Sequence, residues 1–149
     1  MEVQPMNFKG KNVISGTFGS VWVDGEKIAE CFGLKATVEI QREDIKMCGS
    51  LWTASKMISA SGKGSIKLHK VSTRFEEKIF NAIETGEDTD FEIQAMLDDP
   101  DALNKGKETV LLKCVQFDEL TLQDWEAGAA GQLELPFRFT GAEYLDKLD

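Results

Sequence analysis

The chain holds one histidine, three cysteines and no surplus of positive charge, and each shortage closes off a class of function. His69 stands beside Lys67 and Lys70 with no paired cysteine or carboxylate nearby, so neither a metal site nor a histidine-based catalytic centre is expected. Cys31, Cys48 and Cys114 are odd in number, widely spaced and outside any CxxC pair. That argues against a disulfide framework or a zinc centre and for reduced thiols in a protein made in a cytoplasm. No apolar run approaches the ~18 residues needed to cross a bilayer, so the monomer is not expected to insert into a membrane. The opening Met1-Glu2-Val3-Gln4-Pro5 lacks the basic start and apolar run of a secretory signal. GxSxG, Walker, HExxH and Rossmann fingerprints are missing. Gly62-Lys63-Gly64 precedes a strand rather than a helix, the wrong setting for a phosphate loop. No carboxylate pair sits beside a base in surroundings that would shift its pKa. The expectation is therefore no enzyme and no cofactor.

What is present fits one soluble domain over residues 1–149, with 42% hydrophobic and 29% charged residues. The net charge of −9 is unevenly spread. Residues 35–78 carry 9 basic and 5 acidic side chains, whereas residues 79–149 carry 5 basic and 17 acidic. An acidic chain with no concentrated basic stripe is poorly suited to gripping nucleic acid, so no specific nucleic-acid binding is expected. The uneven charge has two readings: solvated faces that keep the chain soluble, or opposite-sign surfaces that meet between copies.

One segment reads clearly as a helix, about residues 73–85. Thr73 and Glu76 have capping-box spacing. Phe75, Ile79, Ala82 and Ile83 fall on one stripe and are the predicted core contacts, while Glu76, Glu77, Asn81 and Glu84 fall elsewhere. Gly86 is placed to end the helix in a left-handed turn. A lone amphipathic helix needs a sheet to cover, and the remainder reads as strands.

Residues 1–17 form a mixed, extended arm. Phe18 to Val23 leads through the hairpin signal Asp24-Gly25 into a return strand, Glu26 to Cys31. Phe32-Gly33 marks a bend or bulge. Leu34 to Ile45 is a strand with one half-buried face, on which Val38 and Ile40 alternate with polar residues. Residues 46–64 break the pattern and read as a long loop that is too apolar for simple disorder, because Met47, Leu51, Trp52, Met57 and Ile58 need something to cover. Such a loop either folds back on its own sheet or becomes ordered against another subunit. Ser65 to Val71 alternates again, as does Phe91 to Leu97. Asp98 to Gly106 is a polar loop without the ligand spacing of a calcium loop. Glu108 to Phe117 is a strand covered on both faces, and Glu119 to Trp125 is expected to continue the sheet. The last strand points Leu133, Leu135, Phe137 and Phe139 one way, with Pro136 on the other face at an edge or bulge.

The order of these elements resembles the tail tube protein family of contractile-tailed phages, defective prophages and phage-tail-like bacteriocins. The similarity is carried by Asn12-Val13-Ile14-Ser15-Gly16 with Asp24-Gly25-Glu26, by Ala36-Thr37-Val38-Glu39, and by Lys70 to Phe75 entering the helix. Gln94 to Asp99 and Glu134-Leu135-Pro136-Phe137-Arg138-Phe139 complete it. It spans about residues 7–140 and rests on order and spacing rather than on a chemical fingerprint. The resemblance implies a mainly β fold: two packed antiparallel sheets forming a sandwich or partly open barrel, flanked by one helix, with a long protruding loop. It also implies homohexameric rings stacked into a hollow tube, a design shared with the type six secretion tube protein. Tail sheath, tape measure and baseplate proteins are the implied partners. The implied location is the tail of a virion or tail-like particle, synthesised in the host cytoplasm. The inter-subunit contacts expected on this reading are Met47, Leu51, Trp52, Lys56, Met57 and Ile58 of the loop, with Phe8 and Val13 of the arm. The rival is a monomeric β-barrel that binds a small ligand or glycan on Trp52 and Trp125.

Overall fold

A computed structural model describes residues 10, 14–71, 73–100 and 107–147, except for the side chain of Phe75. After a short 3-10 turn at Gly16–Phe18 come β1 (Gly19–Val23), β2 (Glu26–Lys27), β3 (Cys31–Lys46) and β4 (Thr53–His69). Helix α1 (Arg74–Thr85) follows, then β5 (Phe91–Leu97), β6 (Glu108–Phe117), β7 (Gln132–Phe139) and β8 (Gly141–Asp146).

The strands make one antiparallel sheet in the order β2-β1-β5-β6-β7-β4-β3, with β8 also on β6, and the sheet does not close. The two packed sheets expected from the sequence are the two halves of this single sheet. Strand β6 joins them. Its pairing with β8 (Lys113↔Gly141, Leu112↔Ala142) and with β7 (Gln116↔Arg138, Phe117↔Phe137) keeps one register, so β7 and β8 behave as one bent strand along β6. At the bend, Lys113 and Cys114 together oppose Glu92, and Cys114 has a left-handed φ of 53°. A bulge of this kind kinks a strand and increases its twist. Here it turns β1 and β5 to face β4 and β7 over a common core: Val21, Val23, Phe91, Ile93, Leu112 and Val115 from one half, Ile66, Leu68, Leu133, Leu135, Phe137 and Phe139 from the other. Phe91, Phe117 and Phe137 meet edge-to-face at 5.4 and 6.0 Å along the seam.

Short-range chemistry explains several elements. Asp24 and Gly25 have φ of 51° and 83°, the double left-handed turn that suits the twist of a two-residue hairpin. The return strand after it is only two residues long, shorter than its pattern predicts. Phe32 is the extra residue of a bulge between Cys31 and Gly33, as predicted, and its ring stacks on His69 at 4.4 Å. Pro136 accepts from the Asp118 N–H at 3.0 Å. Its nitrogen therefore lies on the side where β6 ends and no ladder donor is needed. Gly62 and Gly64 leave room for aromatic rings: a Cβ at Gly62 would collide with the Phe139 ring, and one at Gly64 with the Phe137 ring and the Lys35 carbonyl.

Three expectations need correction. Glu119 to Trp125 is not a strand: Leu120 packs on the core, but Leu122 and Trp125 stand in solvent. Helix α1 ends on Gly86 at φ 73°, as predicted, yet Thr73 makes no side-chain cap. Glu76 is instead buried and pairs with Lys70 at 3.3 Å. The predicted apolar stripe is also divided, with Ile79 buried, Ala82 half-buried and Ile83 exposed. The helix is held at its N-terminal half, where Arg74 bridges Glu26 (3.0 Å) and Glu30 (3.2 Å) and Lys78 reaches Glu26 (3.3 Å).

Candidate assembly interface: a projecting hairpin and a groove beside the helix

The protrusion predicted at 46–64 is there, but in a different form. Strands β3 and β4 remain paired from Cys31↔Leu68 out to Lys46↔Thr53, so only residues 47–52 form a turn. The local pattern hid this because Ser, Ala and Gly alternate with few large apolar residues, and because Ile58 is the extra residue of a bulge opposite Gln41 and Arg42. A bulge shifts the two-residue period by one, which makes a strand read as a loop.

Register assigns the two faces of this arm. Leu34, Ala36, Val38 and Ile40 lie opposite Ile66, Gly64, Gly62 and Ala60, so the arm's inner face continues the core face outward. Ile66 is fully buried, but Val38 and Ile40, expected to be half-buried, are 51% and 45% exposed. The apolar row ends at Arg42 and Met57. The other face is polar, with Thr37, Gln41, Ser59 and Ser61, and carries the Lys63–Glu39 ion pair at 3.1 Å. Among the described residues the outer edge of β3 has no strand partner, nor does β4 beyond Gly62 on the side away from β3. At the tip, Leu51 is 103% exposed and Trp52 84%, and Met47, Lys56, Met57 and Ile58 are exposed as well. The structure thus brings these six predicted contact residues together on the distal arm. Phe8 and Val13 lie outside the described residues.

Of the cavities that flank the arm's root and the helix, two combine apolar walls with carboxylates. One, of about 350 Å³, lies where Leu34, Ala36 and Val38 face Val110, Phe139 and Tyr144. The other, of about 300 Å³, lies between α1 and the segment after β6, lined by Ile79, Ala82, Ile83, Phe117 and Leu120, with Glu87, Asp88, Asp118 and Glu119 among its polar residues. Burial pushes the Cys31 thiol up from its ordinary value, and the charge of Glu30 adds to this. Among the described residues no three His, Cys, Asp or Glu side chains are placed to hold a metal ion, and no helix is long and apolar enough to cross a membrane. The arrangement offers apolar area and unpaired strand edges, which are means of association rather than of bond making.

The family model described as "Phage tail tube protein" matches residues 6–146. Phage-like element PBSX protein XkdM of Bacillus subtilis is 31% identical over 144 residues, 96% of this chain and 97% of that one. The chain belongs to the phage tail tube protein family. The tube-family fold is seen again in the sheath-tube complex of an extracellular contractile injection system in its extended state, at 12% identity, TM-score 0.72, and 91% and 93% of the two chains. It is seen also in the tube-terminating cap of the anti-feeding prophage, at 8% identity, TM-score 0.75, and 99% and 100% coverage. At such low identity the likeness is one of fold.

Proposed function

We propose that this tail tube protein closes six copies into a ring and that the rings stack as the inner tube of a contractile tail or tail-like particle. The bore then conducts DNA or another cargo, and sheath, tape measure and baseplate proteins surround or terminate the tube. The observation that carries the reading is the arm: a two-stranded ribbon with one apolar face and long unpaired edges. Exposed edges of that length promote uncontrolled pairing unless something covers them. A neighbour of the same chain covers them in a defined register, and a head-to-tail contact of this kind closes into a ring. Like charge on each copy opposes assembly, so the basic 35–78 region meets part of a neighbour's acidic 79–149 region. The remaining carboxylates line the bore, where DNA slides without sticking.

Negative-stain microscopy of the purified protein tests the proposal, with rings or tubes expected and uniformly small particles counting against it. Assembly is also expected to weaken as ionic strength rises to 1 M, where the Debye length is about 3 Å. Indifference to salt removes the charge-pairing part alone. The ligand-binding alternative gains nothing from the geometry. The sheet is not closed. Trp52 precedes the first residue of β4, while Trp125 lies seven residues before Gln132, which pairs with the last residue of β4.

A further inference from the structure

Between Lys46 and Ile58 the only charged side chains are Lys46 and Lys56, and neither makes an ion pair within the described chain. The arm tip is therefore an apolar knob, Leu51 and Trp52, flanked by two ammonium groups without an ion pair, although Glu43 stands opposite Lys56 in the ladder and Asp44 lies beside it. The groove beside α1 has the opposite character. Its lining includes four carboxylates and no basic residue. Asp118 is engaged by Arg138 at 2.6 Å and Asp88 by Gln116 at 3.0 Å, which leaves Glu87 and Glu119 with unengaged carboxylates among the described residues. Ile83, 66% exposed on the groove wall, is an apolar side chain that the described residues leave largely uncovered.

We propose that the arm tip of one copy seats in the α1 groove of another, with Leu51 and Trp52 against Ile79, Ile83 and Leu120, and Lys46 and Lys56 against Glu87 and Glu119. The proposal rests on the tube reading above and names the surface that receives the arm. A second copy is the occupant because knob and groove both offer apolar side chains and carry charges of opposite sign. Reach allows it, since from Ile40 to Lys46 the ribbon extends roughly 20 Å at strand rise, with the turn beyond it. Knob and groove are different patches, so the contact is heterologous and propagates or closes rather than stopping at a dimer. The rim charges select orientation and partner more than they add affinity.

Cys48 at the tip provides the test. In a Cys114→Ser background with Thr89→Cys at the groove, a bismaleimide added to assembled tubes should give a ladder of covalent dimers and higher species. The same background without Thr89→Cys should give none. Tubes without a ladder overturn the proposal, as does a ladder from Tyr144→Cys at the other cavity in place of Thr89→Cys, and in both cases the tube reading stands. An unmodified chain that forms neither rings nor tubes overturns both readings at the microscopy step. As an independent arm, Lys46→Glu with Lys56→Glu should reduce polymer by roughly tenfold at low salt, and adding Glu87→Lys with Glu119→Lys should restore it. Failure to restore assembly in a variant that still folds counts against the pairing.

Discussion

Strands β3 and β4 belong to two regions at once, the body and the arm, and the same residues' alternation has opposite outcomes in each. In the body Ile66 and Leu68 are buried within the described chain, whereas farther out on the same face Val38 and Ile40 remain half in water. Burial of a Val, Leu or Ile side chain stabilises by about 1.5–3 kcal/mol, so the body is stabilised within one chain. On the proposed assembly, the arm's apolar face gains that energy on contact with a neighbouring copy. Loss of a body residue should then unfold the protein, and loss of an arm residue should leave it folded and alone.

The sharpest way to break the comparison is to remove the distal arm. Replacing residues 43–56 by an Asn-Gly turn between Arg42 and Met57, which face each other, should leave a cooperative thermal transition close to the parent's. Sedimentation should then show monomer alone, and tubes from this variant would place the assembly contacts elsewhere. Next in size are changes to the body. Leu135→Ala, at a fully buried position, should cost 2–5 kcal/mol in denaturant unfolding. Gly64→Val should cost at least as much, because its Cβ meets the Lys35 carbonyl. By contrast Leu51→Ala or Trp52→Ala should leave the denaturation midpoint unchanged and show an effect only in assembly.

Smaller again is Arg74→Ala, which removes bridges to Glu26 and Glu30. Partial exposure limits the loss to about 1 kcal/mol, diminishing as salt is added. The smallest contrast is chemical: maleimide should label exposed Cys48 and Cys114 before Cys31, whose thiol is half-buried and shifted upward.

Much of the body was legible in advance. Strand β5 is legible to the residue and β7 to within one, since a clean two-residue period with flanking Gly and Asp leaves little choice of boundary, whereas β8, expected to be an acidic tail, is not. The helix and its Gly86 stop were legible for the same reason. The arm was legible as a protrusion but not as a hairpin, because the Ile58 bulge breaks the period and Ser, Ala and Gly give weak strand signals. Segment 119–125 failed in the other direction: alternation there has no neighbouring strand to pair with, and Leu120 alone packs inward.

Local pattern by itself determined strands β5 and β7, the helix with its Gly86 stop and the Asp24-Gly25 turn, because these depend on neighbours a few positions apart. The tertiary structure decided that a left-handed Cys114 folds one sheet back on itself, that Glu76 turns inward to Lys70 while Ile83 turns outward, and that a predicted loop is two strands in register. Each of these depends on what stands opposite a residue across the fold. A two-residue period is the same whether the apolar side meets a core or meets water, and only the positions of the other strands tell the two apart.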